Sequence, residues 1–209
     1  YHLTLHDAFR SQGRPQQITL SVGTRYGSYG KTFPHNCPKS KIILSELYEY
    51  IASQQRDDGF WGAPQHNTFA PLALMASQNS KYEPQILKCV KQHAATTKAN
   101  DRGSLINWRY MAAGIVLSEY YLATQEDWVL KELEEIRDFL QASKYIRSDQ
   151  IAESAKERKL PRSTTQAVGG WGHNPGFEGY GPIGMTTGQG AIVFALMQRC
   201  GIKINRIRH

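Results

Sequence analysis

The chain of 209 residues has 40% hydrophobic and 21% charged positions and a net charge of +7, which excludes disorder throughout and fits one ordinary domain, or one domain with a fragment of another attached. Its longest apolar runs, such as AIVFALM at Ala191 to Met197, fall well short of the roughly 18 residues needed to span a bilayer, which excludes a membrane span. The positive charge suits phosphate, but the basic residues are scattered and no helix-turn-helix, RNP-like or zinc-finger pattern accompanies them, so nucleic acid is not an expected partner.

In chain order, Tyr1, Leu3 and Leu5 alternate, a polar turn follows, and Ile18, Leu20 and Val22 alternate again; this period of two predicts a β-hairpin over residues 1–22. Residues 23–40, GTRYGSYGKTFPHNCPKS, show no period and read as a linker. Residues 41–209 turn helical. KSKIILSELYEYIASQ carries Ile43, Leu47, Tyr50 and Ile51 at helical spacing, with Ser40 available as a cap. TFAPLALMASQ, EPQILKCVKQHAATT and INWRYMAAGIVLSEYYLATQ follow, the last the most apolar and the one expected to be most buried. DWVLKELEEIRDFLQASKYI sets Val129, Leu133, Ile136 and Leu140 on one stripe, and TTGQGAIVFALMQRCG closes the series, stopped by Gly201. The fold class expected is mainly α, a partial α/α-toroid of about three stacked helical hairpins behind an N-terminal β-hairpin.

Two stretches repeat one another. DGFWG at Asp58 to Gly62 precedes LALM, and GGWGH at Gly169 to His173 precedes FALM. Each reads as helix, Gly-Trp-Gly turn, helix, with a longer insertion in the second copy.

The first copy, QRDDGFW from Gln55 to Trp61, resembles the glutamine-tryptophan motif of terpenoid cyclases. That resemblance implies a glutamine capping a helix end and an indole packed on the neighbouring hairpin, with no chemistry of their own. The order of ITLSVGTRYGSYGKTFPHNCPKS, DGFWG, WRYMAAGIVLSEYYLATQEDWVL, VGGWGH and QGAIVFALMQRCGI resembles a bacterial family in which a PDZ-like domain precedes an α/α-toroid region. It implies that residues 1–22 are the tail of the PDZ-like domain and that the toroid is incomplete. The start, YHLTLHDAF, lacks an initiator Met and any signal-peptide pattern, consistent with the interior of a longer protein. An exported location is the expectation.

The candidate catalytic residues are Asp58, His173 and Glu178, which toroid loops would gather at one mouth as acid and base. Trp61, His66, Trp171, Asn174 and Tyr180 are the candidate ligand-binding residues; the competing reading of both indoles is that they staple helices. No metal is expected, because no local pair such as H-E-x-x-H occurs, and no cofactor. GYGPIG from Gly179 to Gly184 matches G-x-G-x-x-G in letters, yet no strand feeds it; the amides of Thr186, Thr187 and Gly188 at the following helix start could still hold an anion. The three cysteines, Cys37, Cys89 and Cys200, lack CxxC spacing; Cys89 and Cys200 are expected to be buried, inert thiols, with one bridge possible.

The chemistry these patterns favour is a non-catalytic binding or scaffolding module of a larger bacterial protein, presenting a Gly/Trp-rich rim to a peptide, glycan or partner domain. The alternative is a polysaccharide hydrolase or lyase with acid and base residues at the toroid mouth, which rests on analogy of fold.

Overall fold

A computed structural model of the chain describes residues 3–6, 17–20, 27–98, 103–146, 169–176 and 181–204. These form two compact units, Tyr1–Tyr50 and Ile51–His209, and the chain is mainly helical.

In the first unit β1 (Leu3–His6) pairs antiparallel with β2 (Gln17–Leu20), Leu3 opposite Leu20 and Leu5 opposite Ile18. Part of the stretch read as a linker is folded. Phe33 N–H donates to Gly30 O at 3.1 Å, Gly30 N–H points at the Cys37 sulfur at 3.2 Å, and Lys39 is buried with its ammonium 4.3 Å from the Tyr29 ring centroid. Helix α1 (Pro38–Ser53) begins at Pro38, ahead of the Ser40 cap that the pattern suggested. Proline at the first helical position has no N–H to leave unpaired and its φ is already helical. The α1 stripe departs from expectation too: Leu47 and Tyr50 are exposed, and Ile43 and Ile51 only half-buried.

The second unit holds α2 (Pro64–Ala76), a 3-10 turn (Ser80–Tyr82), α3 (Glu83–Thr96), α4 (Ile106–Thr124), α5 (Trp128–Ser143) and α6 (Gly184–Arg199). Helix α4 packs against α2, α3, α5 and α6, and most of its residues are buried, as its apolar composition implies. On α5 the stripe Val129, Leu133, Ile136 and Leu140 is fully buried, the outcome of apolar residues spaced three and four apart.

Helix α2 starts at Pro64, four residues before the stretch that looked helical, again with proline in the first turn. It also contains Pro71. That residue has no N–H to give the carbonyl of Asn67 four positions earlier, and a buried acceptor without a donor is costly. His93 on α3 supplies the donor: its Nε2 lies 3.1 Å from the Asn67 oxygen. A sequence defect in one helix is thus matched by a side chain of the next.

Candidate functional site

The two Gly-Trp-Gly turns are built alike. In the first, Trp61 sends its indole N–H to the carbonyl of Ile51 at 2.6 Å, in the last turn of α1 and within the second unit. In the second, Trp171 sends its indole N–H to the carbonyl of Leu140 at 2.8 Å, in the last turn of α5. Both acceptors are among the last four carbonyls of a helix, which have no backbone amide four positions on within that helix; Gln54 N–H also donates to Ile51 O at 3.1 Å and Ser143 Oγ to Leu140 O at 3.2 Å. Each tryptophan also has its backbone N–H held by a side chain from the helix that follows: Asn67 Oδ1 at 2.7 Å for Trp61, Thr187 Oγ1 at 3.2 Å for Trp171. One residue therefore ties the end of one helix to the beginning of the next, twice.

Around Trp61 the bend is closed by short bonds. The Gln55 amide donates to the carbonyls of Gly59 at 2.9 Å and Gln85 at 2.8 Å, joining the turn to the start of α3. Asp58 Oδ1 accepts from the Phe60 amide at 2.9 Å. Gly59 adopts φ +90, and a side chain there would meet the carbonyl oxygen of Lys88 at 3.0 Å, so glycine is required for both conformation and space. Trp61 is half-buried and His66 exposed.

Around Trp171 the packing is tighter. The residue is 3% exposed, with the Phe194 ring 5.6 Å away edge-on and the Lys144 ammonium 5.0 Å from its centroid. Burial lowers the Lys144 pKa. Gly190 on α6 lies under the indole, where a methyl group would come within 2.7 Å of the ring. Thr186 Oγ donates to the Trp171 carbonyl at 2.5 Å, and that carbonyl also accepts from Ile183 N–H at 2.8 Å.

His173 and Asn174 complete the beginning of α4. The residue before that helix, Leu105, is left-handed at φ 57 and gives no side-chain cap. Instead Asn174 Oδ1 accepts from Ile106 N–H at 2.9 Å and the His173 carbonyl accepts from Asn107 N–H at 3.1 Å. Asn107, fully buried, returns a bond from Nδ2 to the Gly172 carbonyl at 3.0 Å. The Trp108 indole donates to His173 Nδ1 at 2.8 Å with the two rings stacked at 6.0 Å, which places the proton of a neutral His173 on Nε2.

Of the sequence-derived candidates, His173 and Asn174 meet at the start of α4, Trp171 lies between the end of α5 and α6, and Asp58 and Trp61 share the first turn. Glu178 and Tyr180 lie outside the described residues. As a ligand-stacking surface Trp171 is corrected: its ring is buried and its N–H engaged by Leu140. The anion reading of the last helix start is corrected as well, because α6 begins two residues earlier, at Gly184, and Thr187 N–H donates to Ile183 O at 2.9 Å. Asn67 and Asn107 were not singled out in the sequence, and Thr186 and Thr187 were noted only for their backbone amides, not for the hydroxyls that bind the second turn. A buried amide beside each turn is their signal, and only Asn107, at the head of an apolar helix, hints at it.

Among the described residues no group of three or more His, Cys, Asp or Glu could hold a metal ion, and no helix is long and apolar enough to cross a membrane. All three cysteines are free and buried. Burial pushes Cys89 up to about 12, whereas backbone donors, first Gly30 and then Ser40, draw Cys37 down to about 7. Comparison with curated proteins and with solved structures gave no match. A family model does match, over residues 40–209, from the third residue of α1 through the second tryptophan turn and α6. The chain belongs to the family described as Domain of unknown function (DUF6288).

Proposed function

We propose that this chain is a non-catalytic scaffolding and binding module of a larger bacterial protein, an incomplete α/α-toroid preceded by the tail of a PDZ-like domain. The single observation that carries the reading is the matched pair of indole bonds, Trp61 to Ile51 and Trp171 to Leu140, which use both tryptophans to join helices. Three further features support it. Alternate helices α2, α4 and α6 pack in succession, with α3 and α5 against α4, an order that suits a layer of inner helices backed by outer ones. Asp58 and His173, the acid and base of an enzymatic reading, are bonded within their own turn and helix start. Met185 and Ile192, seven residues apart on one face of α6, are 64% and 53% exposed, an open apolar face of the kind a further hairpin would cover. In this reading the rim offers its exposed groups, Asp58, His66 and the 65% exposed Phe69, to a peptide, glycan or partner domain.

The test pairs stability with activity. Wild type, His173→Ala and Asp58→Asn are assayed for cleavage of a panel of neutral and acidic polysaccharides and, in parallel, for thermal unfolding and glycan or peptide binding. Loss of stability in His173→Ala with no cleavage by the wild type is the expected result. Cleavage by the wild type that disappears in a normally folded His173→Ala or Asp58→Asn protein would replace this reading with a hydrolase or lyase.

A further inference from the structure

At the end of α2 and α4 away from the tryptophan turns lies a groove of about 920 Å³, bounded by the last turns of these two helices, the 3-10 turn and the first turn of α3. Its size falls within the range of small-molecule sites, roughly 300 to 1,000 Å³. The floor is apolar, made by Leu74 and Ile86, 1% and 7% exposed, with Leu87. Two carboxylates, Glu83 and Glu126, line the groove, and no Lys, Arg or His is among its lining residues, although the chain as a whole is cationic at +7.

The acidic wall is held in place. Gln125 is left-handed at φ 57 and ends α4, turning Glu126 back over the helix. There Glu126 accepts from the Tyr120 hydroxyl at 2.7 Å and from the Trp128 indole N–H at 2.5 Å. Hydrogen bonding from Tyr120 and then Trp128 lowers its pKa, and Glu83 acts on the same Tyr120 hydroxyl as a nearby negative charge. Two helices, α2 and α4, also end here, and the carbonyl ends of helices favour cations. The start of α3 has the opposite polarity, but its first residue is Glu83.

From this arrangement we infer that the groove binds a small organic cation, a primary ammonium or guanidinium carried on an apolar body. The body lies on Leu74, Ile86 and Leu87, and the cationic head sits between Glu83 and Glu126 beside the Tyr120 ring. The site is independent of the tryptophan turns and stands whether or not these present a ligand.

Phenethylamine, with phenethyl alcohol and hydrocinnamate as its neutral and anionic counterparts, is titrated into the isotopically labelled full chain and followed by backbone amide shifts. The amine is expected to move the amides of Gln78, Asn79 and Glu126, binding about tenfold more tightly than the alcohol, with no binding of hydrocinnamate. Glu83→Gln leaves the Tyr120–Glu126 bond intact and is expected to weaken the amine about threefold, as for a partly solvated charge. Glu83→Gln with Glu126→Gln is expected to weaken it about tenfold, while Asp138→Asn on α5 leaves it unchanged. Equal binding of amine and alcohol, shifts confined to other parts of the chain, no shift up to about 10 mM amine, or an unaltered affinity in Glu83→Gln would each overturn the inference. So would a loss in Asp138→Asn equal to that in Glu83→Gln.

Discussion

His93 Nε2 stands 3.1 Å from the carbonyl of Asn67, the acceptor that Pro71 leaves without a helical donor. The imidazole is 3% exposed and packs 4.7 Å from the Phe60 ring, so its surroundings disfavour the charged form. Burial lowers its pKa from 6.5 to about 4. Between these values the unfolded chain binds more protons than the folded one. Stability is therefore fully present above pH 6.5, falls as the pH is lowered through this window, and levels off below about 4. The whole effect is on the order of 3 kcal/mol. Urea unfolding across this pH range should show a slope that His93→Gln flattens; an unchanged slope in a folded His93→Gln protein would rule out His93 as its source.

The same relationship predicts a coupling. Pro71→Ala restores an N–H at the position that Asn67 lacks, so His93→Phe should cost less in that background than in the wild type, by about 1 kcal/mol. A double-mutant cycle from denaturant unfolding measures it, and additive effects would show that the two residues act separately.

Replacing each indole by phenylalanine removes the bond between helices while keeping an aromatic ring. Trp171→Phe, at a buried site where the Leu140 carbonyl would keep only the Ser143 hydroxyl at 3.2 Å, should cost about 2 kcal/mol, and Trp61→Phe, half-buried and more easily reached by water, about 1 kcal/mol. Thermal unfolding ranks the two. If Trp61→Phe proves the more damaging, the second turn is not the stronger staple.

Gly190→Ala should destabilise despite alanine's better helix propensity, worth about 1 kcal/mol. Its methyl group would come within 2.7 Å of the Trp171 ring, which is pinned by its own hydrogen bond. Overpacking of this kind costs about 1 to 3 kcal/mol. Combining Gly190→Ala with Trp171→Leu should recover part of the loss, as read from the unfolding midpoint; two losses that simply add would argue against the contact.

Asn174→Ala should lower stability by about 1 kcal/mol, the usual worth of a helix cap, and Asn174→Asp should retain most of it because the acceptor oxygen remains. Equal losses in both variants would assign the role of Asn174 to some contact other than the Ile106 amide.

The helices were legible where burial follows a simple period, and the boundaries were not where proline sets them. On α5 the four stripe residues are buried as their spacing implies, since one face of an amphipathic helix has a single way to leave water. Pro38 and Pro64 begin α1 and α2 earlier than the apolar pattern does, because the first turn of a helix needs no apolar residue. The α1 stripe failed for a different reason: periodicity identifies a face but not whether anything covers it. The tryptophan turns stood out as near-identical words, whereas their partners did not. Thr187 is 16 residues from Trp171 and Asn107 is 65 from Gly172, separations over which sequence carries no local pattern. Asp58 and His173 looked reactive because side chains that shape a turn or cap a helix are of the same types that transfer protons.

The bond from Ile106 N–H to Asn174 crosses 68 positions of the chain. During synthesis the central helix α4 would leave the ribosome with its first turn open, and its closure must wait for the segment that carries the second indole. The order of emergence therefore argues against α4 settling as an independent early unit. A nascent chain halted before that asparagine should be cut by protease near the beginning of α4, and one extended through α6 should resist.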